Sequence, residues 1–106
     1  MIARLWMVSV DPGRLEDYRA FTRERLLPAY HGQSKLVAVF LVERQGTCGT
    51  LSFWKDRPAI EDFYASAGYQ TLAKQLLASG LLVGEASLQT LKVYGGDVPG
   101  DLKAWL

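Results

Sequence analysis

The sequence has few of the side chains that hold metals or form disulfides. It contains one cysteine, Cys48, and one histidine, His31. A single cysteine cannot form a disulfide within the chain, and one cysteine with one histidine cannot supply the four ligands of a structural zinc site. We therefore predict no metal site, and we expect packing of apolar side chains to stabilise the fold.

The sequence also lacks an excess of charge of one sign, and it has no long apolar run. Twelve Lys and Arg against 11 Asp and Glu leave a formal net charge of +1. The chain thus lacks the basic surface that binds phosphate backbones, and we expect no nucleic acid partner. The longest apolar run, Leu36 to Val42, has seven residues, whereas a bilayer-spanning helix needs about 20. We expect no membrane segment.

The first residues, MIARLWMVSVDPG, place Arg4 inside an apolar alternation. They lack the charged lead and the small-residue cleavage site of a secretory signal, which predicts a cytoplasmic protein. Residues 2–10 are rich in Val, Leu and Trp without Gly or Pro, and this favours a strand.

A long helix is predicted after this strand. Asp11 can cap it, with Pro12 at its first position, where a missing N–H costs nothing. Apolar residues then recur at helical spacing over 12–30. We expect Pro28 to kink or end this helix, because proline removes a helical hydrogen bond.

A hairpin is predicted in the middle of the chain. Residues 36–44 are apolar on both parities, so both faces of this strand should be covered. Gln45-Gly46-Thr47 is typical of a tight turn, and residues 48–54 form the returning strand.

A second helical region and a fourth strand follow. Asp56 can cap the helix, which we expect Gly68 to interrupt and Ser79-Gly80 to end. Residues 86–94 alternate as the last strand.

One domain accounts for this length. The chain has 106 residues, of which 49% are hydrophobic and 22% charged, a composition typical of one globular domain. We predict a domain over 1–95 and a tail over 96–106. The tail is too short to fold alone, and we expect it to pack on its own or a partner subunit through Leu102, Trp105 and Leu106.

The element order is strand, helix, strand, strand, helix, strand. This predicts an α+β, ferredoxin-like βαββαβ fold, with one antiparallel sheet and both helices on one of its faces. The other face is rich in apolar residues and needs a cover. A second copy of the chain, stacked sheet on sheet about a two-fold axis, is the simplest partner.

Three segments resemble the antibiotic biosynthesis monooxygenase family: MIARLWMVSVDPGRLEDYRAF, LSFWKDRPAIEDFY and LQTLKVYGG. The similarity spans roughly residues 1–95. It implies a homodimeric α+β barrel with a pocket in each subunit between sheet and helices. Some members of the family oxidise polycyclic aromatic polyketides without metal or flavin, others bind and degrade haem, and many others have no assigned activity. The resemblance therefore implies a small aromatic ligand and no cofactor.

The resemblance carries over only in part. The strand-end Trp54 matches the family's tryptophan, but the sequence contains no asparagine to match the strand Asn of either chemistry. Trp6 and Thr50 stand nearest to its two alternative positions. Phe63 and Tyr64 occupy the part of the second helix where the haem-ligating His would lie, so we reject haem degradation.

Ten residues are candidates for a site. Trp54, His31 and Arg4 are the catalytic candidates, with Arg4 or His31 creating or stabilising a substrate anion. An aromatic-rich pocket is expected from Trp6, Tyr18, Thr50, Ser52, Phe63, Tyr64 and Tyr69. Trp54 should lie at the pocket mouth, on the same strand face as Thr50 and Ser52. Leu51 and Phe53 should then pack under the helices.

Simpler roles stay open for each candidate. Trp54 and the helix aromatics can serve as core packing alone, and His31 can simply stabilise the end of the first helix. Two functions are therefore carried forward. One is a cofactor-independent monooxygenase acting on a small aromatic substrate. The other is a non-catalytic dimeric module of the same fold that binds a small molecule or has a structural role.

Overall fold

Four strands form one antiparallel sheet in the order β2-β3-β1-β4. The computed structural model describes all residues, Met1–Leu106. The strands are β1 (Ile2–Ser9), β2 (Leu36–Arg44), β3 (Thr47–Trp54) and β4 (Ser87–Lys92). With helices between β1 and β2 and between β3 and β4, this is the ferredoxin-like α+β arrangement that the sequence predicts.

The first helical region is continuous but not uniform. A 3-10 turn (Pro12–Arg14) leads into α1 (Leu15–Phe21), a π-helical stretch (Thr22–Leu26) and α2 (Leu27–Tyr30). Asp11 caps its start by accepting a hydrogen bond from the Gly13 backbone N–H at 3.0 Å. Because Pro28 cannot donate an N–H and its ring crowds the carbonyl four residues earlier, the turn before it is widened instead of broken.

The second helical region is split at Ser66. Helix α3 spans Arg57–Ala65 and α4 spans Ala67–Ala78. Ser66 itself is extended, and its hydroxyl accepts a hydrogen bond from the Tyr69 backbone N–H at 3.4 Å. The expected interruption at Gly68 is therefore wrong by two residues, because a serine that caps the next helix decides the break.

The side of β3 that faces the helices is the opposite of the one expected. Cys48, Thr50, Ser52 and Trp54 face the helices, since Cys48 and Trp54 belong to buried clusters that include helix side chains. Leu51 and Phe53 alternate with them and lie on the open face, so their expected position under the helices is wrong. In β3 the apolar Leu51 and Phe53 alternate with Thr50 and Ser52, so the pattern favoured burying the wrong face, and β2, which is apolar at both odd and even positions, could not correct the choice.

Two buried clusters fill the space between sheet and helices. Val8, Val10, Tyr18, Cys48, Leu76 and Leu81 form one cluster. Leu26, Tyr30, Trp54 and Phe63 form the other. The second cluster is mainly aromatic, with ring centroids 4.6 Å apart for Tyr30 and Phe63 and 5.4 Å apart for Trp54 and Phe63.

The end of the chain leaves the domain. Strand β4 is an exposed edge, and every residue from Tyr94 to Leu106 is exposed in the single chain. A short 3-10 helix (Leu102–Trp105) ends the tail, where Trp105 is 88% exposed. No helix of the chain combines the length and the apolar character needed to cross a bilayer.

Candidate functional site

A cavity of about 280 Å³ lies between the helix-facing side of the sheet and helix α4. This volume is close to the lower end of the range of about 300 to 1,000 Å³ typical of small-molecule sites. Most of its wall is hydrocarbon, chiefly from Val8, Phe21, Leu72, Leu76 and Leu82. Its polar atoms come from a few side chains: Arg4, Trp6, Tyr30, Thr50 and Tyr69.

Arg4 is the only charged residue in the cavity wall. It lies on β1, facing the helices with Trp6 and Val8, and it is half-buried. Its guanidinium carbon lies 3.7 Å from the centre of the Tyr64 ring. No carboxylate lies within ion-pair distance of it, because none of the ion pairs of the chain includes Arg4. The cation is thus held by an aromatic face and has no anionic partner within the chain.

Thr50 adds a second polar group without a partner. Its side chain is on β3, opposite Trp6 in the strand pairing, and only 4% of the residue is exposed. The Oγ1 atom is buried and makes no hydrogen bond. Since most buried polar side chains are hydrogen-bonded, such an atom in a cavity wall indicates a place for a ligand's polar group.

The tyrosines of the wall are held in their neutral form. Burial raises the pKa of Tyr69, assisted by neighbouring Tyr64, although Arg4 acts in the opposite direction. Burial also raises the pKa of Tyr30 far above its ordinary range. The Tyr30 and Tyr64 hydroxyls are hydrogen-bonded to each other at 2.8 Å, which fixes both rings.

The wall contains no group suited to remove a proton near neutral pH. No Asp, Glu, His or Lys lines the cavity. Nor do three His, Cys, Asp or Glu side chains lie together anywhere in the chain in a way that could hold a metal ion. The arrangement can therefore bind and orient an apolar molecule, and it can stabilise negative charge through Arg4.

Solved structures share this architecture, although the chain matches no protein-family model and no curated protein by sequence. A structure described as an antibiotic biosynthesis monooxygenase superposes with a TM-score of 0.76 at 16% identity, covering 90% of this chain and 100% of the other. The chain has the fold of the antibiotic biosynthesis monooxygenases.

Two further structures agree in fold. A protein of unknown function from Nitrosomonas europaea gives a TM-score of 0.77 at 17% identity, covering 94% of this chain and 95% of the other. Rv0793 from Mycobacterium tuberculosis gives 0.75 at 16% identity, covering 92% and 98%. Identities this low establish the shared fold and leave the activity to be argued from the site.

Within this antibiotic biosynthesis monooxygenase fold, four of the ten candidate residues line the cavity: Arg4, Trp6, Thr50 and Tyr69. They come from β1, β3 and α4. Tyr64 does not line the cavity, but its ring contacts Arg4, which does. Phe63 is buried in the aromatic cluster behind the wall, and Ser52 is buried with its hydroxyl 3.5 Å from the Arg4 carbonyl.

Trp54 does not lie at the mouth of the cavity. It is 0% exposed and packs among Tyr30, Phe63 and Tyr64, with its ring centroid 6.1 Å from that of Tyr30. Its indole Nε1 has no hydrogen-bond partner. The expected position is wrong because α3 and the end of the first helical region close over this end of β3, while the cavity opens beside α4.

His31 and Tyr18 also lie away from the cavity wall. His31 is exposed at the end of α2. Tyr18 is buried in the other cluster beside Cys48, and burial raises the pKa of its phenol, with a further contribution from Cys48. Neither side chain can contact a ligand in this cavity.

Sequence reasoning missed most of the apolar wall. Leu72 and Leu76 lie one helical turn apart on α4, with Tyr69 one turn before Leu72, and this spacing indicates only an apolar helix face. Tyr30 is the last residue of the helical spacing over 12–30 and gives the same kind of signal. The available signal was the same in both cases, an apolar helix face, and it does not distinguish a filled core from a cavity wall.

Proposed function

We propose that the protein is a cofactor-independent monooxygenase that acts on a small aromatic substrate held in the cavity. One observation carries the proposal: an apolar cavity of about 280 Å³ contains a single charged residue, Arg4, that has no anionic partner in the protein. The shared fold with a structure described as an antibiotic biosynthesis monooxygenase supports the same reaction class.

In this reaction the substrate itself supplies the electrons. A ring carbon that carries two hydrogens loses both, one atom of dioxygen becomes its new carbonyl oxygen, and the other atom leaves as water. The reactive form is the substrate anion, whose electrons reduce dioxygen. Arg4 stabilises that anion, because a preorganised cation in a site that excludes water is most effective where negative charge is present. Trp6 and Tyr69 flank the ring from β1 and α4.

Trp54 and His31 have no direct catalytic role in this proposal. Trp54 supports Tyr30, which forms part of the wall, and so acts through packing. His31 is exposed outside the cavity and cannot remove a proton from a bound substrate. The substrate must therefore ionise without a base from the protein.

Two measurements test the proposal in sequence. A thermal-shift screen of the full chain against hydroxylated aromatic compounds, with haem included, identifies ligands through the stabilisation that binding gives. Oxygen uptake is then followed with each hit. We expect uptake that saturates with substrate and that falls by about 100-fold in Arg4→Gln, as for loss of one oxyanion-stabilising group. Hits that bind without any protein-dependent oxygen uptake would overturn the enzymatic proposal.

The alternative is a non-catalytic module that binds a small apolar ligand or serves a structural role. The absence of a protein base in the cavity wall favours it over the enzyme for substrates that do not ionise unaided. The two functions are separated by the same experiment, because a binder gives thermal shifts without oxygen consumption.

The proposal includes a homodimer formed through the open face of the sheet. That face presents Leu5, Leu51 and Phe53 of the central strands, and the rings of Phe40 and Phe53 meet edge to face with centroids 6.2 Å apart. An apolar sheet face of this kind needs a partner, and a second copy offers a self-complementary surface. In such a dimer the exposed tail, with Trp105 and Leu106, packs on the partner subunit.

A further inference from the structure

We infer that the cavity selects ligands that arrive already ionised, namely a carboxylate or phenolate on an apolar body of no more than about two fused rings, whose oxyanion is held by Arg4 and Thr50. This inference rests on the proposed function, because it names the ligand class of the same cavity. It goes beyond that function by assigning Arg4 and Thr50 as the residues that bind the oxyanion and Tyr64 as the residue that positions Arg4.

Arg4 supplies the charge. A guanidinium that stacks on an aromatic ring uses its flat face, and its N–H groups point outward in the plane of the group. The Tyr64 ring occupies that face at 3.7 Å. The Arg4 side chain makes no ion pair within the chain, while the residue is half-buried and lines the cavity. A half-buried cation without an anion is costly, and a ligand oxyanion removes that cost.

Thr50 supplies a neutral donor next to the charge. Arg4 pairs with Ser52 across β1 and β3, and Thr50 is two residues from Ser52 on the same face. Such diagonal neighbours have Cα atoms about 7–8 Å apart, within reach of a long side chain. The Thr50 Oγ1 atom is buried without a partner, and the residue lines the same cavity. One oxyanion between the two residues can accept hydrogen bonds from both.

The rest of the wall requires the ligand to bring its own charge. No carboxylate, imidazole or amine lines the cavity, so no protein group can take a proton from a neutral ligand. The wall tyrosines do not replace a base, because burial raises the pKa of both Tyr30 and Tyr69. A compound with a carboxyl group, or with a phenol acidic enough to ionise in water, meets this requirement.

Tyr64 acts as a positioning residue for Arg4. Its hydroxyl is hydrogen-bonded to Tyr30 at 2.8 Å, and its ring meets that of Tyr69 edge to face with centroids 4.6 Å apart. The ring that supports the guanidinium is thus fixed by two cavity-wall residues. Loss of the ring should weaken anion binding while the charge of Arg4 remains.

The test compares two probes of nearly equal shape, 2-naphthoate and 2-naphthamide, by isothermal titration calorimetry on the full chain at neutral pH. We expect the wild-type protein to bind naphthoate at least about tenfold more tightly than naphthamide, as for one charge-assisted hydrogen bond. Arg4→Gln should reduce this preference to less than about threefold. Arg44→Gln is the matched control, because Arg44 is exposed, lies outside the cavity and, like Arg4, forms no ion pair. It should retain the full preference.

Three further variants keep the test decisive if Arg4→Gln does not fold. Thr50→Val should weaken naphthoate by about tenfold and naphthamide by less, because the hydrogen bond that a hydroxyl donates to an anion is stronger than the one it donates to a neutral carbonyl. Tyr64→Leu should reduce the preference of the wild type, whereas Tyr64→Phe, which keeps the ring, should retain most of it. Equal binding of the two probes by the wild type, no binding of naphthoate at millimolar concentration, or an unchanged preference in a folded Arg4→Gln or Thr50→Val variant would overturn the inference.

These results separate the inference from the proposed function. Calorimetry measures charge selectivity without oxygen chemistry. A preference for naphthoate that depends on Arg4, together with no oxygen uptake for any compound, supports the anion site and rejects the monooxygenase. Oxygen uptake with a compound that binds equally well as a neutral isostere rejects the anion site and supports the enzyme.

Discussion

Gly49 on β3 packs directly against the backbone carbonyl of Trp6 on β1. A Cβ at position 49 would overlap the Trp6 carbonyl oxygen and also the Met7 sulfur. The two strands can therefore pair in this register only if position 49 has no side chain. Because Trp6 lines the cavity, the same contact helps to position the cavity wall.

The first prediction concerns this contact. Gly49→Ala should lower the free energy of unfolding by about 3 kcal/mol or more, since the overlap is with backbone and cannot be relieved by a rotamer change. Urea denaturation measures the loss. Gly68→Ala is the control, because no atom lies within 4 Å of a Cβ there and the position is in the first turn of α4. It should be neutral or stabilise by up to about 1 kcal/mol. Equal stability of the two variants would contradict the packing argument.

The second prediction separates Trp54 from the cavity. Trp54→Phe should cost about 1 to 3 kcal/mol in stability because it leaves space in a fully buried cluster, while no hydrogen bond of the indole is lost. The affinity for 2-naphthoate should change by less than about threefold. Trp6→Phe, in the cavity wall, should show the reverse pattern, with a larger change in affinity and a smaller loss of stability. Calorimetric titration and urea denaturation of both variants check this. A large loss of affinity for 2-naphthoate in Trp54→Phe would show that Trp54 contributes to the cavity.

The third prediction tests the homodimer. Phe53→Glu places a charge on the open face of the sheet, in the position of a ring that contacts Phe40. If that face forms the interface, burying an unpaired carboxylate is unfavourable and the variant should be a monomer. Sedimentation velocity should show a dimer for the wild type. Leu77→Glu, on α4 at the exposed edge of the cavity and away from the open face of the sheet, is the matched control for dimerisation and should remain dimeric. A monomeric wild type, or a dimeric Phe53→Glu, would reject this interface.

The fourth prediction concerns alkaline stability. Burial raises the pKa of Tyr18, and burial followed by the neighbouring Tyr64 raises that of Tyr30, so both phenols stay protonated in the folded chain. Their contribution is fully present below the unfolded tyrosine pKa of about 10 and is lost as the pH rises from there towards the folded-state pKa. Each phenol should steepen the decline in unfolding free energy above pH ~10 by about 1.4 kcal/mol per pH unit.

Tyr30→Phe provides the control for this effect. It removes the hydrogen bond to Tyr64, which should lower stability at every pH by about 1 kcal/mol. It should also make the alkaline decline shallower, because one of the phenols whose pKa burial raises is gone. Urea denaturation at several pH values measures both quantities, and parallel curves for the variant and the wild type would show that the phenol does not titrate on unfolding.

Local signals predicted most of the fold. Asp11 and Asp56 cap the two helical regions as expected, each accepting a backbone N–H. The hairpin turn lies at Gln45 and Gly46, both with positive φ, and β2 has the predicted bounds. These features depend on residues within a few positions of one another, so a single sequence contains the information. The break at Ser66 is also local, but two competing signals, Ser66 and Gly68, lie only two residues apart.

The candidate site was predicted less well. The sequence predicts Arg4, Trp6, Thr50 and Tyr69 as site residues, and all four line the cavity, whereas the predicted Trp54 is buried behind the wall. The roles of these residues stay predictions until the variants are measured. Trp6 and Trp54 lie on the same face of the sheet, at different ends of it. Nothing in the chain near either residue indicates which end the helices cover.

The sequence by itself determined the order of strands and helices, the caps and the hairpin turn, because these follow from residue types at short spacing. It also determined that one cation, Arg4, stands in an apolar strand, although only the structure shows that Arg4 forms no ion pair. Only the tertiary structure decided which sheet face lies under the helices, that Tyr64 supports Arg4, and that α4 leaves a cavity beside Thr50. Those facts depend on contacts between residues distant in the chain, because β2 is apolar on both faces and the alternation in β3 favours the face that the helices do not cover.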